Sequence, residues 1–103
     1  MNLDSIQKLQ VWHNKQCNGS WEHQCGVSID TLDNPGWTIA IDLVGTDLES
    51  MQMESIVEEN DETDWLHCKI ENGRFLGNGG PFKLSAILSL FLDLIPSGPD
   101  TET

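Results

Sequence analysis

The sequence predicts an α+β domain: an antiparallel sheet of four or five strands flanked by an N-terminal and a C-terminal helix. Helical periodicity is confined to the two ends of the chain, period-two alternation fills its middle, and two tight-turn signals separate runs of strand-forming residues. The strands follow one another without intervening helices, which disfavours a parallel sheet, because each parallel pair needs a long crossover.

The first helix is expected over about residues 4–16. Asp4 followed by Gln7 resembles a capping box, and Ile6, Leu9, Trp12 and His13 fall near helical spacing. Cys17-Asn18-Gly19-Ser20 supplies the small polar residues that end it. From Gly26 the period changes to two. Val27, Ile29 and Thr31 share one face of a strand, and Trp37, Ile39, Ile41 and Leu43 share one face of the next, so each strand is expected to bury one side. Between them, Asp33-Asn34-Pro35-Gly36 combines Asx residues, a fixed φ and a permissive glycine, the requirements of a tight reversal.

Residues 45–64 are polar and acidic and read as a solvated connection with room for a short strand near Ile56-Val57. Trp65 to Glu71 and Arg74-Phe75-Leu76 flank Asn72-Gly73, the strongest short hairpin signal in the chain. A two-residue turn there sets Glu71 opposite Arg74 and Ile70 opposite Phe75, an ion pair on one face and an apolar pair on the other. Gly77 to Gly80 reads as a structural turn before the second helix, with Pro81 near the position where a missing N–H costs least. Leu84, Ile87, Leu88, Leu90, Phe91, Leu92, Leu94 and Ile95 cover an arc of roughly 200° at about 100° per residue, so this helix must be packed along most of its girth. Pro96-Ser97-Gly98-Pro99 ends it.

A chain of 103 residues fits one domain, expected over 1–96, followed by a disordered polar tail at 97–103. Seventeen Asp and Glu against five Lys and Arg give a formal net charge of −12. That balance repels phosphate backbones, which disfavours nucleic-acid binding, whereas a basic protein partner is attracted and its encounter accelerated. The polar, acidic start Met1-Asn2-Leu3-Asp4 lacks the basic head and apolar run of a secretory signal, and Leu84 to Ile95 is too short and interrupted to cross a bilayer. A cytoplasmic protein without membrane contact is therefore expected, with Cys17, Cys25 and Cys68 reduced.

Chemistry-bearing residues are present, but their spacing is poor. Cys17, His23 and Cys25, with His67 and Cys68, are zinc-ligand types; they lack two close ligand pairs, and adjacent His67 and Cys68 point to opposite faces of a strand. Cys25 with His23 and Glu22 has no neighbouring cation to activate a thiol. Gly77 to Gly80 matches neither phosphate-binding glycine fingerprint. The sequence therefore implies no catalytic residue, no metal and no cofactor. Partner-binding candidates are Trp21, Glu22 and His23, the turn residues Asp33 and Asn34, and the acidic run Glu58, Glu59, Asp61, Glu62 and Asp64. Trp37 reads as core because it is in phase with Ile39 and Ile41; Trp21 reads equally as core or as an aromatic anchor.

Several segments together carry a resemblance: Gln16-Cys17-Asn18-Gly19-Ser20-Trp21-Glu22-His23, Gly26-Val27, Thr31 to Trp37, Ile41-Asp42-Leu43, Asp64 to Cys68 and Gly79-Gly80-Pro81. From about Leu9 to Asp93 the chain resembles the immunity protein 53 family. The most specific parts are Trp-Glu-His and Thr-Leu-Asp-Asn-Pro-Gly-Trp. The resemblance implies a small cytosolic α+β antitoxin of a bacterial polymorphic toxin system, one that binds a cognate toxin domain and brings no catalytic residues. Many toxin domains of such systems are nucleases with cationic substrate-binding surfaces, which suggests the hypothesis that acidic side chains here occupy the surface that would otherwise hold nucleic acid. The residues alone leave open a small acidic interaction protein or a zinc-binding module unrelated to toxins.

Overall fold

A computed structural model describes residues 4–96, and the tail expected at 97–103 lies outside the described residues. The chain runs α1 (Ser5–Gln16), α2 (Trp21–Gln24), β1 (Val27–Leu32), β2 (Gly36–Asp42), β3 (Ile56–Glu59), β4 (Trp65–Glu71), β5 (Arg74–Gly79) and α3 (Leu84–Leu92). All strand pairs are antiparallel, in the order β1-β2-β5-β4-β3. The predicted α+β class and both flanking helices are thus present, with five strands.

Helix α1 begins with the capping box read from the sequence. The Asp4 carboxylate accepts from the Gln7 N–H at 2.8 Å, and the Gln7 side-chain oxygen accepts from the Asp4 N–H at 3.1 Å. Such a cap stabilises a helix by about 1 kcal/mol. The β4–β5 hairpin keeps the predicted register, with Ile70 opposite Phe75 and Glu71 opposite Arg74. Asn72 and Gly73 turn through φ of 55° and 75°, the left-handed region that a two-residue primed turn requires.

The hydrophobic face of the sheet takes α1 and α3. Strand register lines up Ile41, Phe75 and Ile70 in one row and Ile39, Gly77 and Cys68 in the next. Ile39, Ile41, Phe75 and Cys68 are buried there beneath Ile87, Leu88 and Phe91 of α3. A Cβ at Gly77 would collide with the Ile87 side chain, so the glycine is what lets α3 settle directly on β5. Trp21, Trp12, Phe91 and Phe75 form a continuous series of edge-on contacts, with centroid separations of 6.2, 5.0 and 5.4 Å. Each such pair contributes about 0.5–1.5 kcal/mol beyond its buried area.

Five expectations are corrected. Strand β1 does not bury a full face: it is an edge strand beyond the reach of the helices, and Ile29 remains 37% exposed. Gly77 to Gly80 is not a turn, since Gly77 and Gly79 belong to β5. Helix α3 starts at Leu84, three residues past Pro81. The connection after β2 is not simply solvated: Leu48 is fully buried, Met51 and Met53 pack on the core, and Asp47 accepts from the Trp12 indole N–H at 3.0 Å. Finally, Glu71 and Arg74 do not pair with each other. Arg74 lies between carboxylates on both neighbouring strands and binds Asp42 at 3.2 Å, leaving Glu71 to Lys69 at 2.8 Å.

Candidate partner-binding surface

The two ends of the sheet are chemically different. At one end, α2 and the connection after β2 close over the strands. Asn18 and Glu22 organise this end: the Asn18 side chain accepts from the Ser20 and Trp21 N–H groups, and the Glu22 carboxylate accepts from Asn18 and Gly19 at 2.9 and 2.8 Å. These backbone donors, with its own N–H first, hold the Glu22 carboxyl below the usual carboxylate range. Trp21 is only 6% exposed, and its indole N–H donates to the Val44 carbonyl at 3.0 Å. Of the two readings of Trp21, the core one describes its position. Of the Trp-Glu-His segment, only His23 is freely exposed.

The opposite end brings together three loops. Trp37 lies opposite Thr31 on one side and Gly79 on the other, and Gly79 lies opposite Leu66. The β1–β2 turn, the β5–α3 connection and the β3–β4 tip therefore emerge side by side, one or two strand spacings of about 4.8 Å apart. Asp33 and Asn34 are exposed in the first, and Asp61 and Glu62 in the last. Between them stands Phe82, 88% exposed.

This end is rigidly built. The Asp61 carboxylate accepts from the Thr63 N–H and the Asp64 N–H, both at 2.8 Å, and from the Thr63 hydroxyl at 3.1 Å. Those donors, led by the Thr63 N–H, hold Asp61 below the usual carboxylate range, so it is ionised at neutral pH. Asp64 binds the Lys83 ammonium at 2.8 Å and raises the lysine's pKa. A Cβ at Gly80 would collide with the Thr63 carbonyl, so glycine allows the tip to lie against the connection before α3. The Trp37 indole N–H donates to the Pro81 carbonyl at 3.1 Å and fixes the residue just before Phe82.

The acidic run is divided by the fold. Glu58 and Glu59 belong to β3, and only Asp61, Glu62 and Asp64 lie in the tip. Glu59 and His67 meet at 2.8 Å on the sheet face away from the helices. That open face carries Val57 at 63% exposure, Trp65 edge-on to His67 at 5.3 Å, and a groove of about 310 Å³ lined by Val57, His67, Lys69, Leu76 and Asn78 among others. His67, Lys69 and Arg74 on this face each meet a carboxylate: His67 with Glu59, Lys69 with Glu71 and Arg74 with Asp42.

The zinc-ligand types do not converge: among the described residues no three His, Cys, Asp or Glu side chains are placed to hold a metal ion. Burial, with Glu58 nearby, pushes the Cys68 thiol up to about 11. All three cysteines are free, and no helix among the described residues is long and apolar enough to cross a membrane.

Two residues of these surfaces do not stand out in the sequence. Val57 reads as part of a short strand, with nothing to say that it faces outward. Phe82 stands two residues before Leu84, about 160° round the helical projection from it at 100° per residue, which puts an aromatic ring opposite the apolar arc. That misplacement was the available signal.

Residues 6–96 match the immunity protein 53 family, and the chain belongs to it. No curated protein and no solved structure matches the chain significantly.

Proposed function

We propose that this chain is the immunity protein of a bacterial polymorphic toxin system, and that it neutralises a cognate toxin domain by binding it. The observation that carries this reading is the family match across residues 6–96. Action is stoichiometric occupation in the cytoplasm and involves no turnover. A net charge of −12 favours a cationic partner surface. A nuclease fits that requirement, because its substrate-binding surface must attract phosphates; acidic side chains of the immunity protein would take their place. The acidic tip supplies the long-range attraction.

The experiment is co-expression with the toxin domain encoded beside this gene, followed by purification through a tag on this chain at low and high salt. A one-to-one complex that loosens as salt rises is expected, because charge steering is screened. A neighbouring toxin domain that is expressed and folded, yet is neither retained nor inhibited, overturns the proposal.

A further inference from the structure

We propose that Phe82 is the apolar anchor of the toxin interface, inserted into a pocket on a cationic partner surface and rimmed by Asp33, Glu62 and the ordered Asp61–Asp64 tip. This inference rests on the immunity reading and specifies which surface performs it. A phenylalanine that is 88% exposed leaves almost its whole ring in water, uncovered by the other described residues. Burying such a ring in a partner is favourable, and exposed aromatic side chains are typical of the few residues that dominate interface affinity.

The backbone beneath Phe82 is held for that use. Trp37 fixes the Pro81 carbonyl, the Lys83 N–H donates to the Gly80 carbonyl at 3.1 Å, and the Lys83 ammonium is tied to Asp64. Three hydrogen bonds from Thr63 and Asp64 to Asp61 fix the adjacent tip. A surface ordered before binding loses less conformational freedom on association.

Charge selects the occupant. Four carboxylates, Asp33, Asp61, Glu62 and Asp64, belong to the two loops that flank the Phe82 connection, against the ammonium of Lys83. Among the described residues no cation pairs with Asp33, Asp61 or Glu62. A cationic protein surface relieves that excess. A second copy of this chain would bring two acidic rims together, which is repulsive. The open sheet face has a groove too, but there Glu59, Glu71 and Asp42 already meet His67, Lys69 and Arg74, so it presents no comparable excess for a basic partner.

The test is titration of the adjacent-gene toxin domain with the wild-type chain and with Phe82→Ala, alongside thermal unfolding of both. Wild type is expected to bind, and Phe82→Ala to bind roughly 30-fold more weakly or worse, through faster dissociation, with an unchanged melting temperature. Wild-type binding with a loss below about tenfold in Phe82→Ala overturns the anchor and leaves the immunity reading standing. Failure of the wild type to bind overturns the immunity reading, and this inference with it. A free chain that sediments as a dimer, dissolved by Phe82→Ala, also overturns it, because Phe82 would then serve self-association.

Discussion

The two ends of the sheet use similar residue types in opposite ways. At the closed end, Trp12 and Trp21 are buried, both indole N–H groups have acceptors inside the fold, and the Leu43 N–H donates to the Gly73 carbonyl at 2.8 Å. At the open end, a phenylalanine and several carboxylates face water although the backbone under them is equally well ordered. Both ends are rich in aromatic and acidic residues. What distinguishes them is whether those groups find partners within the chain. Glu22 spends its charge on the Asn18 and Gly19 amides, whereas Glu62 meets no cation among the described residues.

That contrast is sharpest for a large truncation. Trp21→Ala removes a buried indole and its hydrogen bond to the Val44 carbonyl, and is expected to cost about 3–5 kcal/mol in denaturant unfolding. The surviving folded molecules should still bind toxin at near wild-type affinity. A Trp21→Ala protein that keeps its stability but loses toxin would return Trp21 to the interface.

A smaller effect separates the covered sheet face from solvent-exposed regions. Cys68 has an ordinary thiol pKa of 9.0 in the unfolded chain and about 11 in the fold. Above pH 9 the unfolded state releases its proton while the folded state keeps it, so this contribution to stability falls from about pH 9 to about pH 11. Unfolding free energies measured across that window should decline less steeply in Cys68→Ala. Equal slopes would mean that the thiol ionises in place.

Local, self-contained signals were the legible ones. The Asp4–Gln7 cap and the Asn72-Gly73 turn each act within a few residues, so neighbouring identities suffice to specify them. Leu48 is illegible because its burial depends on packing into the distant core, without any periodic run around it. Glu58 and Glu59 looked continuous with the tip because charge alone does not reveal where a short edge strand ends. The Glu71–Arg74 pairing was read from one hairpin, and it failed because β2, distant in sequence, offered Asp42 to the same guanidinium. The sequence leaves Trp21 open between core and anchor and does not single out Phe82 for a similar reason: exposure is set by which element closes over each end.

If the toxin docks on the open end as proposed, hydrogen exchange of the chain, free and saturated with the toxin domain, should show new protection at the amides of residues 31–36, 60–64 and 80–83, with the closed end unchanged. Protection confined to α2, to the connection after β2 or to the open face around Val57 and His67 would instead put the toxin elsewhere and overturn docking on the open end.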